Sequence, residues 1–343
     1  MYSFEASPLF ALAQRAHLQP VTWSCAAAAH CRIWIKRDDL LHAAVSGNKL
    51  FKLFHHLLTA KKSAARGLLS FGGAYSNHLY AMAQVAKAQQ LPAVAIIRGT
   101  DADLENPTLA QLRNEGMQLM PVSREQYRLK MQPSFIEQLK TQFSGFYLIP
   151  EGGAGFLGAR GFVDYAQAVS AQLLAQDITV DAVWLPAGTG TSVAGLAACW
   201  HNVHAVGALA MQDRQPYVEA VEVLRRQLAG IDGAHGVSWH GFDIPFGKTP
   251  ASIIEICRAF WDETGVLFDP IYGGKVLLAL QKAFSNGLRH QQILIIHTGG
   301  NQGWQGVFNR TRVNTCELQD AFSHYMQNKT QFLLQDSDLT LGI

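Results

Sequence analysis

Charge is scarce in this chain of 343 residues: Asp, Glu, Lys and Arg make up 16%, and 28 basic against 26 acidic residues leave a net charge of +2. An average soluble chain carries roughly 25% charged residues. No basic cluster or stripe occurs, so the electrostatic footprint of a nucleic-acid binder is missing. The five cysteines (Cys25, Cys31, Cys199, Cys257 and Cys316) are odd in number and scattered, with no C-x-x-C pair. Neither a disulfide framework nor a metal site of zinc type is expected. The opening MYSFEASPLFALAQ has an early Glu5 and no basic segment ahead of an apolar core. It does not read as a secretory leader, and a cytoplasmic location is expected. No repeat of solenoid period is present. The one long uncharged run, Ala182 to Gln212, is broken by Pro186, Gly188, Gly190 and Gly195, with Thr189, Thr191 and Ser192 among them. Such breakers and hydroxyls fit a buried strand–loop–helix unit, not a membrane span.

Length and apolar content are what the chain does have. Its length corresponds to about two domains, and 48% of its residues are hydrophobic. So much apolar surface with so few charges predicts a face covered by a second copy, a homodimer. Apolar runs rich in Val, Ile and Leu start at Gly67, Ala93, Ala182 and Ile293, and each leads into a glycine-containing or polar turn and, in most cases, an amphipathic stretch. Strands alternating with helices predict βαβ units and an α/β fold, with mostly parallel sheet covered on both faces. Charge is densest from Arg98 to Lys130, the expected solvated flank of a smaller domain at residues 52–151. Residues 1–51 and 152–343 would form the larger domain.

Three of these turns carry ligand-binding character. The first, Ala187-Gly188-Thr189-Gly190-Thr191-Ser192, combines glycines that let backbone approach a ligand with hydroxyls and a helix start, a setting for phosphate. It lacks the third glycine of the dinucleotide fingerprint and the lysine of the P-loop, which leaves a small terminal phosphate held without lysine or metal, or a plain connection with no ligand. The second, Gly72-Gly73-Ala74-Tyr75-Ser76-Asn77-His78, offers Ser76 and Asn77 as helix caps. It also holds more polar side chains than capping requires, and a carboxylate would sit well on them. The third, Thr298-Gly299-Gly300, follows the strand ILIIH. Ligands of parallel sheets bind at carboxyl ends of strands, so the three turns would meet in one crevice.

Near the N-terminus, Ser46-Gly47-Asn48-Lys49 precedes Leu50, Phe51, Phe54, Leu57 and Leu58 at helical spacing. Lys49 therefore falls in the first helical turn, where the dipole opposes a cation. That position, with burial, would lower its pKa and free the amine as a nucleophile. Taken alone the signal is weak, and a solvated surface lysine is the default reading.

Together these residues resemble the family of 1-aminocyclopropane-1-carboxylate deaminases and D-cysteine desulfhydrases, within the tryptophan-synthase β-subunit group of pyridoxal-phosphate enzymes. The matching pieces are KRDDLL at 36–41, SGNK at 46–49, SNH at 76–78, the AGTGT turn, DPIYGGK at 269–275 and HTGG at 297–300. The resemblance implies a fold type II enzyme of two domains, each an open, mostly parallel twisted sheet with helices on both faces, the smaller one closing over the substrate. It implies pyridoxal 5'-phosphate as cofactor and a small amino acid as substrate, without nucleic acid, membrane or metal.

By the same resemblance Lys49 holds the cofactor covalently, with Asn48 beside it. Asn77 would bond the cofactor's 3-hydroxyl, Gly188, Thr189, Gly190 and Thr191 its phosphate, and Thr298 with Gly299 would face its ring nitrogen. Ser76, Asn77 and His78 would receive the substrate carboxylate, with Ser76 also a candidate base. Tyr272 would act as acid, base or orienting group, although without the resemblance it reads as a turn tyrosine after Pro270. The reaction implied is loss of a β-substituent from D-cysteine or a similar D-amino acid, giving a 2-keto acid and ammonia. The alternative is opening of the cyclopropane amino acid to 2-oxobutanoate. Two departures weigh against the latter. The deaminases carry Glu directly after the active tyrosine and the desulfhydrases usually Thr, where this chain has Gly273; an upstream Tyr-Gly pair is replaced by Phe246-Gly247. The rival readings are a nucleotide-binding α/β protein in which Lys49 is incidental, and a lyase or racemase using Ser76 and Lys49 as opposed bases.

Overall fold

The computed structural model of the chain describes residues 8–42, 45, 47–102, 104–207, 215–229, 236–241, 244, 248–309 and 316–333. Within them lie strands β1 (Leu18–Val21), β2 (Arg32–Lys36), β3 (Gly67–Gly72), β4 (Ala93–Arg98), β5 (Met117–Val122), β6 (Phe146–Ile149), β7 (Ala182–Pro186), β8 (Val203–Gly207), β9 (Val237–Gly241) and β10 (Gln292–Ile296). They form a six-stranded sheet in the order β1-β2-β10-β7-β8-β9 and a four-stranded sheet in the order β5-β4-β3-β6. Every pairing is parallel except that of edge strand β1 with β2. The apolar runs at Gly67, Ala93, Ala182 and Ile293 are thus β3, β4, β7 and β10, each buried along nearly its whole length.

Alternation along the strands divides the core. Val183, Leu185, Leu294 and Ile296 join one cluster with Leu68, Ala95 and Ile149 of the smaller sheet, so this core lies between the two sheets. Ala182, Trp184, Ile293 and Ile295 face the opposite way into a second cluster with Phe260, Leu277 and Leu280. Leu69, Phe71, Val94 and Ile96 cover the far side of the smaller sheet. Each sheet therefore buries both faces at its centre, which is why β3, β4, β7 and β10 read as continuous apolar runs.

The chain passes between the sheets through helix Lys49–Lys62 and returns through the turn at Glu151–Gly153 into helix Phe156–Ala175. These two helices pack so closely that a Cβ at Gly161 would overlap the Phe51 carbonyl oxygen. The Phe51 ring meets Tyr165 with centroids 4.7 Å apart.

The KRDD segment is structural. Lys36 Nζ donates to the Ala13 carbonyl at 2.7 Å, and Arg37 grips Asp39 through two nitrogens at 2.9 and 2.8 Å. Tyr165 donates to Asp38 at 2.6 Å, and the Asp38 carbonyl accepts from Gly47 N–H at 2.7 Å. This buried knot anchors the loop that presents Lys49. All five cysteines are free. Among the described residues no helix is long and apolar enough to cross a membrane, and no group of His, Cys, Asp or Glu could hold a metal ion.

Candidate active site

The three turns do converge. Lys49 is the first residue of its helix, behind Asn48. Asn48 N–H donates to the Thr298 carbonyl at 3.3 Å, and its side-chain amide reaches Ser192 Oγ at 3.4 Å. The lysine is thus held between the turns after β10 and β7. Lys49 Nζ donates to Asn48 Oδ1 at 2.6 Å. Its side chain is partly accessible yet sunk deep among protein atoms, and burial lowers its pKa from 10.5 to about 8, against an opposing pull from Asp269. The surface-lysine alternative is thereby set aside on physical grounds.

In the turn after β7, Thr189 and Thr191 bring their hydroxyl oxygens within 2.9 Å of each other. The helix that follows, Thr191–Ala197, has seven residues. Lys52 Nζ lies 3.5 Å from Thr189 Oγ1. A phosphate held without lysine is the expectation; the structure brings one amine, Lys52, to this turn. Lys52 is 5% exposed, and burial, seconded by Lys49, drives its pKa well below the ordinary lysine range. Its position three residues after Lys49 puts both on one side of the helix, a spacing visible in the sequence.

In the turn after β3, Ser76 is the N-cap of helix Asn77–Ala88, its Oγ accepting from Leu79 N–H at 3.3 Å. Its hydroxyl proton remains available to a ligand. Asn77 Oδ1 accepts from Gln302 at 2.7 Å, and a Cβ at Gly300 would stand 2.5 Å from the Asn77 amide nitrogen. The turns after β3 and β10 therefore touch. His78 is different. It is 3% exposed, and Ser70 Oγ donates to the Ile149 carbonyl at 2.8 Å while lying 2.8 Å from His78 Nε2. That chain requires the proton on Nε2 and leaves Nδ1 a lone pair, with no partner among the described residues. Burial, then Lys49, Lys52 and His56, hold its pKa well below the usual imidazole range. A carboxylate needs donors, and this ring offers an acceptor. The expected contact between the His78 ring and a substrate carboxylate does not fit; the ring braces the helix start against β3.

Tyr272 stands where DPIYGGK turns into helix Gly273–Ser285. A Cβ at Gly188 would lie 3.4 Å from its ring, so Tyr272 closes over the turn after β7. Its backbone is set by Asp269, which sequence reasoning passed over. This 1% exposed carboxylate accepts from the N–H groups of Ile271 (3.0 Å), Tyr272 (2.8 Å) and Gly273 (2.7 Å). An Asp four residues ahead of a helix's first glycine was the available signal. Burial, then the Asp269, Glu151 and Tyr217 side chains, raise the Tyr272 pKa. The phenol therefore keeps its proton at neutral pH, a state in which it donates a hydrogen bond and is not a base. At Gly273 a Cβ would stand 2.6 Å from the Phe268 ring and 2.9 Å from Asp269 Oδ2. Phe268 cannot yield easily, being 1% exposed and stacked on His297 at 4.3 Å. Gly273→Thr is expected to cost about 1–3 kcal/mol through overpacking, read as a lower thermal midpoint of the loaded enzyme; an unchanged midpoint would show that Phe268 can move aside. Ser46, Phe246 and Gly247 lie outside the described residues.

Residues 19–299 match the family model described as pyridoxal-phosphate dependent enzyme. A D-cysteine desulfhydrase of Salmonella schwarzengrund (strain CVM19633) is 32% identical over 294 residues, covering 78% of this chain and 86% of that one. A mitochondrial protein of Arabidopsis thaliana named bifunctional D-cysteine desulfhydrase/1-aminocyclopropane-1-carboxylate deaminase is 28% identical over 293 residues, 79% of this chain and 73% of that one. A crystal structure of an ACC deaminase homologue superposes with a TM-score of 0.76 at 23% identity, over 88% of this chain and 98% of that one. The chain belongs to the pyridoxal-phosphate-dependent enzymes, with the two-sheet architecture of fold type II. The nucleotide-binding alternative falls with that membership.

The residues fit the cofactor. Lys52 is a buried amine whose hydrogen-bond partner is a hydroxyl at 3.5 Å and whose charged form burial disfavours; a phosphate monoester beside it and the two threonines would supply the opposite charge that stabilises the ammonium. Lys49, with a pKa near 8, would be available as a neutral amine to attack a carbonyl. Covalent uptake of pyridoxal phosphate by the apoenzyme is therefore expected to speed up as pH rises and to level off above about 8, as the neutral amine saturates. Stopped-flow absorbance measures this. A midpoint near 10.5, the ordinary value, would contradict the burial of Lys49.

Proposed function

We propose that this enzyme eliminates the β-substituent of a small D-amino acid, D-cysteine above all, to give a 2-keto acid and ammonia. The observation that carries the reading is the crowded seat at Gly273: a Cβ there would meet the Phe268 ring at 2.6 Å and Asp269 Oδ2 at 2.9 Å, so position 273 does not supply the carboxylate that the deaminases carry directly after the tyrosine. The Salmonella schwarzengrund relative's name supports the same choice. The Arabidopsis thaliana relative carries both activities in its name, which keeps the cyclopropane acid as the second reading. Residues 52–151 would act as a smaller domain closing on a larger one of residues 1–51 and 152–343, in a cytoplasmic homodimer.

Pyridoxal phosphate, when bound, supplies the electron sink for charge developing at the substrate α-carbon. Lys49 would hold it, with Asn48 orienting the lysine. Gly188, Thr189, Gly190, Thr191 and Lys52 would take the phosphate, Asn77 the 3-hydroxyl, and Thr298 with Gly299 the ring nitrogen. A hydroxyl at that nitrogen favours its unprotonated form more than a carboxylate would. Ser76 and Asn77 would donate to the substrate carboxylate. Lys49, neutral near pH 8, or Ser76 would take the α-proton, and Tyr272 would orient and hydrogen-bond the departing sulfur. With D-cysteine, one water is consumed and pyruvate, sulfide and ammonia leave.

Keto-acid release from D- and L-cysteine, D- and L-serine and the cyclopropane acid tests this. D-cysteine should lead, with sulfide and pyruvate in equal amounts. Preference for the cyclopropane acid, with 2-oxobutanoate as product, would overturn it.

A further inference from the structure

Helix Gln215–Ala229 lies against the turn after β7. Its Tyr217 fills the space at Gly190, where an added Cβ would stand 3.1 Å from the phenol oxygen and 3.3 Å from Cζ, and Val221 one helical turn on would overlap it. Gly190 itself has φ 73°, a left-handed conformation that favours glycine. The Tyr217 hydroxyl donates to the Gly188 carbonyl at 2.8 Å. Trp239 of β9 holds the ring edge-on, with centroids 5.6 Å apart and planes at 75°. Two phenols thus bracket Gly188: Tyr272 over its α-carbon and Tyr217 on its carbonyl. Burial raises the Tyr217 pKa, so the hydroxyl keeps the proton that it donates.

The peptide from Gly188 to Thr189 is trans, and a planar trans peptide points its carbonyl and its N–H in opposite directions. Pinning the carbonyl toward helix Gln215–Ala229 turns the Thr189 N–H away from it. Lys52 meets the Thr189 hydroxyl from helix Lys49–Lys62. We infer that Tyr217 is a positioning residue for the cofactor phosphate: by fixing the Gly188 carbonyl it aims the Thr189 N–H into the anion site. The inference rests on the reading that the 188–191 turn holds the phosphate. A turn with two glycines has little stiffness of its own, so an outside anchor has something to do. The anchor stands on a separate helix whose sequence shows no ligand-binding pattern.

The test compares wild type, Tyr217→Phe and Thr191→Val. Apoenzymes are titrated with pyridoxal phosphate by fluorescence, and the phosphorus-31 resonance of the bound cofactor is recorded in each loaded enzyme. Tyr217→Phe removes one neutral hydrogen bond and keeps the ring, so its Kd should rise about 3- to 10-fold, with a displaced phosphorus resonance. Thr191→Val, which removes a hydroxyl from the turn itself, should weaken binding as well. If Thr191→Val weakens binding and Tyr217→Phe does not, or does so without moving the resonance, the role given to Tyr217 is overturned while the turn stands. If Thr191→Val has no effect on binding, the reading of the turn falls and the inference with it.

Discussion

Lys49→Ala will yield a folded protein without turnover, and its pyridoxal-phosphate solution will lack the visible band of the wild type that borohydride abolishes. The expectation follows from how the site is built. Lys49 sits at the start of its helix with Nζ 2.6 Å from Asn48 Oδ1, in a setting that lowers its pKa to about 8. An ordinary lysine is almost wholly protonated at neutral pH, whereas this one is neutral in an appreciable fraction of molecules. The neighbouring amine cannot take over, because Lys52 lies beside the Thr189 hydroxyl and would be engaged by the phosphate. The substitution shortens a partly accessible side chain, so the fold should persist. Circular dichroism and a thermal melt check that, and keto-acid and absorbance assays check the chemistry. Appreciable turnover in Lys49→Ala would remove Lys49 from the mechanism.

Tyr272→Phe has the second largest expected effect: kcat lower by about 10²- to 10⁴-fold, the usual contribution of a positioned proton donor, with colour and cofactor affinity close to wild type. The ring rests over Gly188, a contact that phenylalanine preserves. The lost group is a phenol kept protonated by burial and by the Asp269, Glu151 and Tyr217 side chains. Such a group stays a hydrogen-bond donor toward the leaving sulfur at neutral pH and is not a resting base for the α-proton. Full activity in Tyr272→Phe would leave the tyrosine as packing alone.

The strands at Gly67, Ala93, Ala182 and Ile293 were legible because both faces of each sheet are buried and the runs are uninterrupted. β5 and β6 were not: MQLMPV and FYLI show mostly intermediate burial and lack that signature. The convergence of the three turns was legible, since parallel strands bring their carboxyl ends to one side of a sheet. What the sequence hid lies in side chains that arrive from elsewhere. Lys52 looks like an ordinary lysine of an amphipathic helix until Thr189, far along the chain, comes to meet it. Tyr217 carries no local pattern because its partner is a backbone carbonyl. His78 was misjudged because Ser70, eight residues earlier on β3, determines which nitrogen holds the proton. Gly273 showed up as a departure from the family, and the structure supplies a cause: Phe268 occupies the room that a side chain would need.

The central claim is that one of two adjacent buried lysines holds the cofactor covalently while the other neutralises its phosphate. Borohydride reduction of the loaded enzyme, proteolysis and peptide mass spectrometry test it directly. The pyridoxyl mass should fall on Lys49, with Lys52 unmodified. A label on Lys52, or on any residue other than Lys49, would contradict the account.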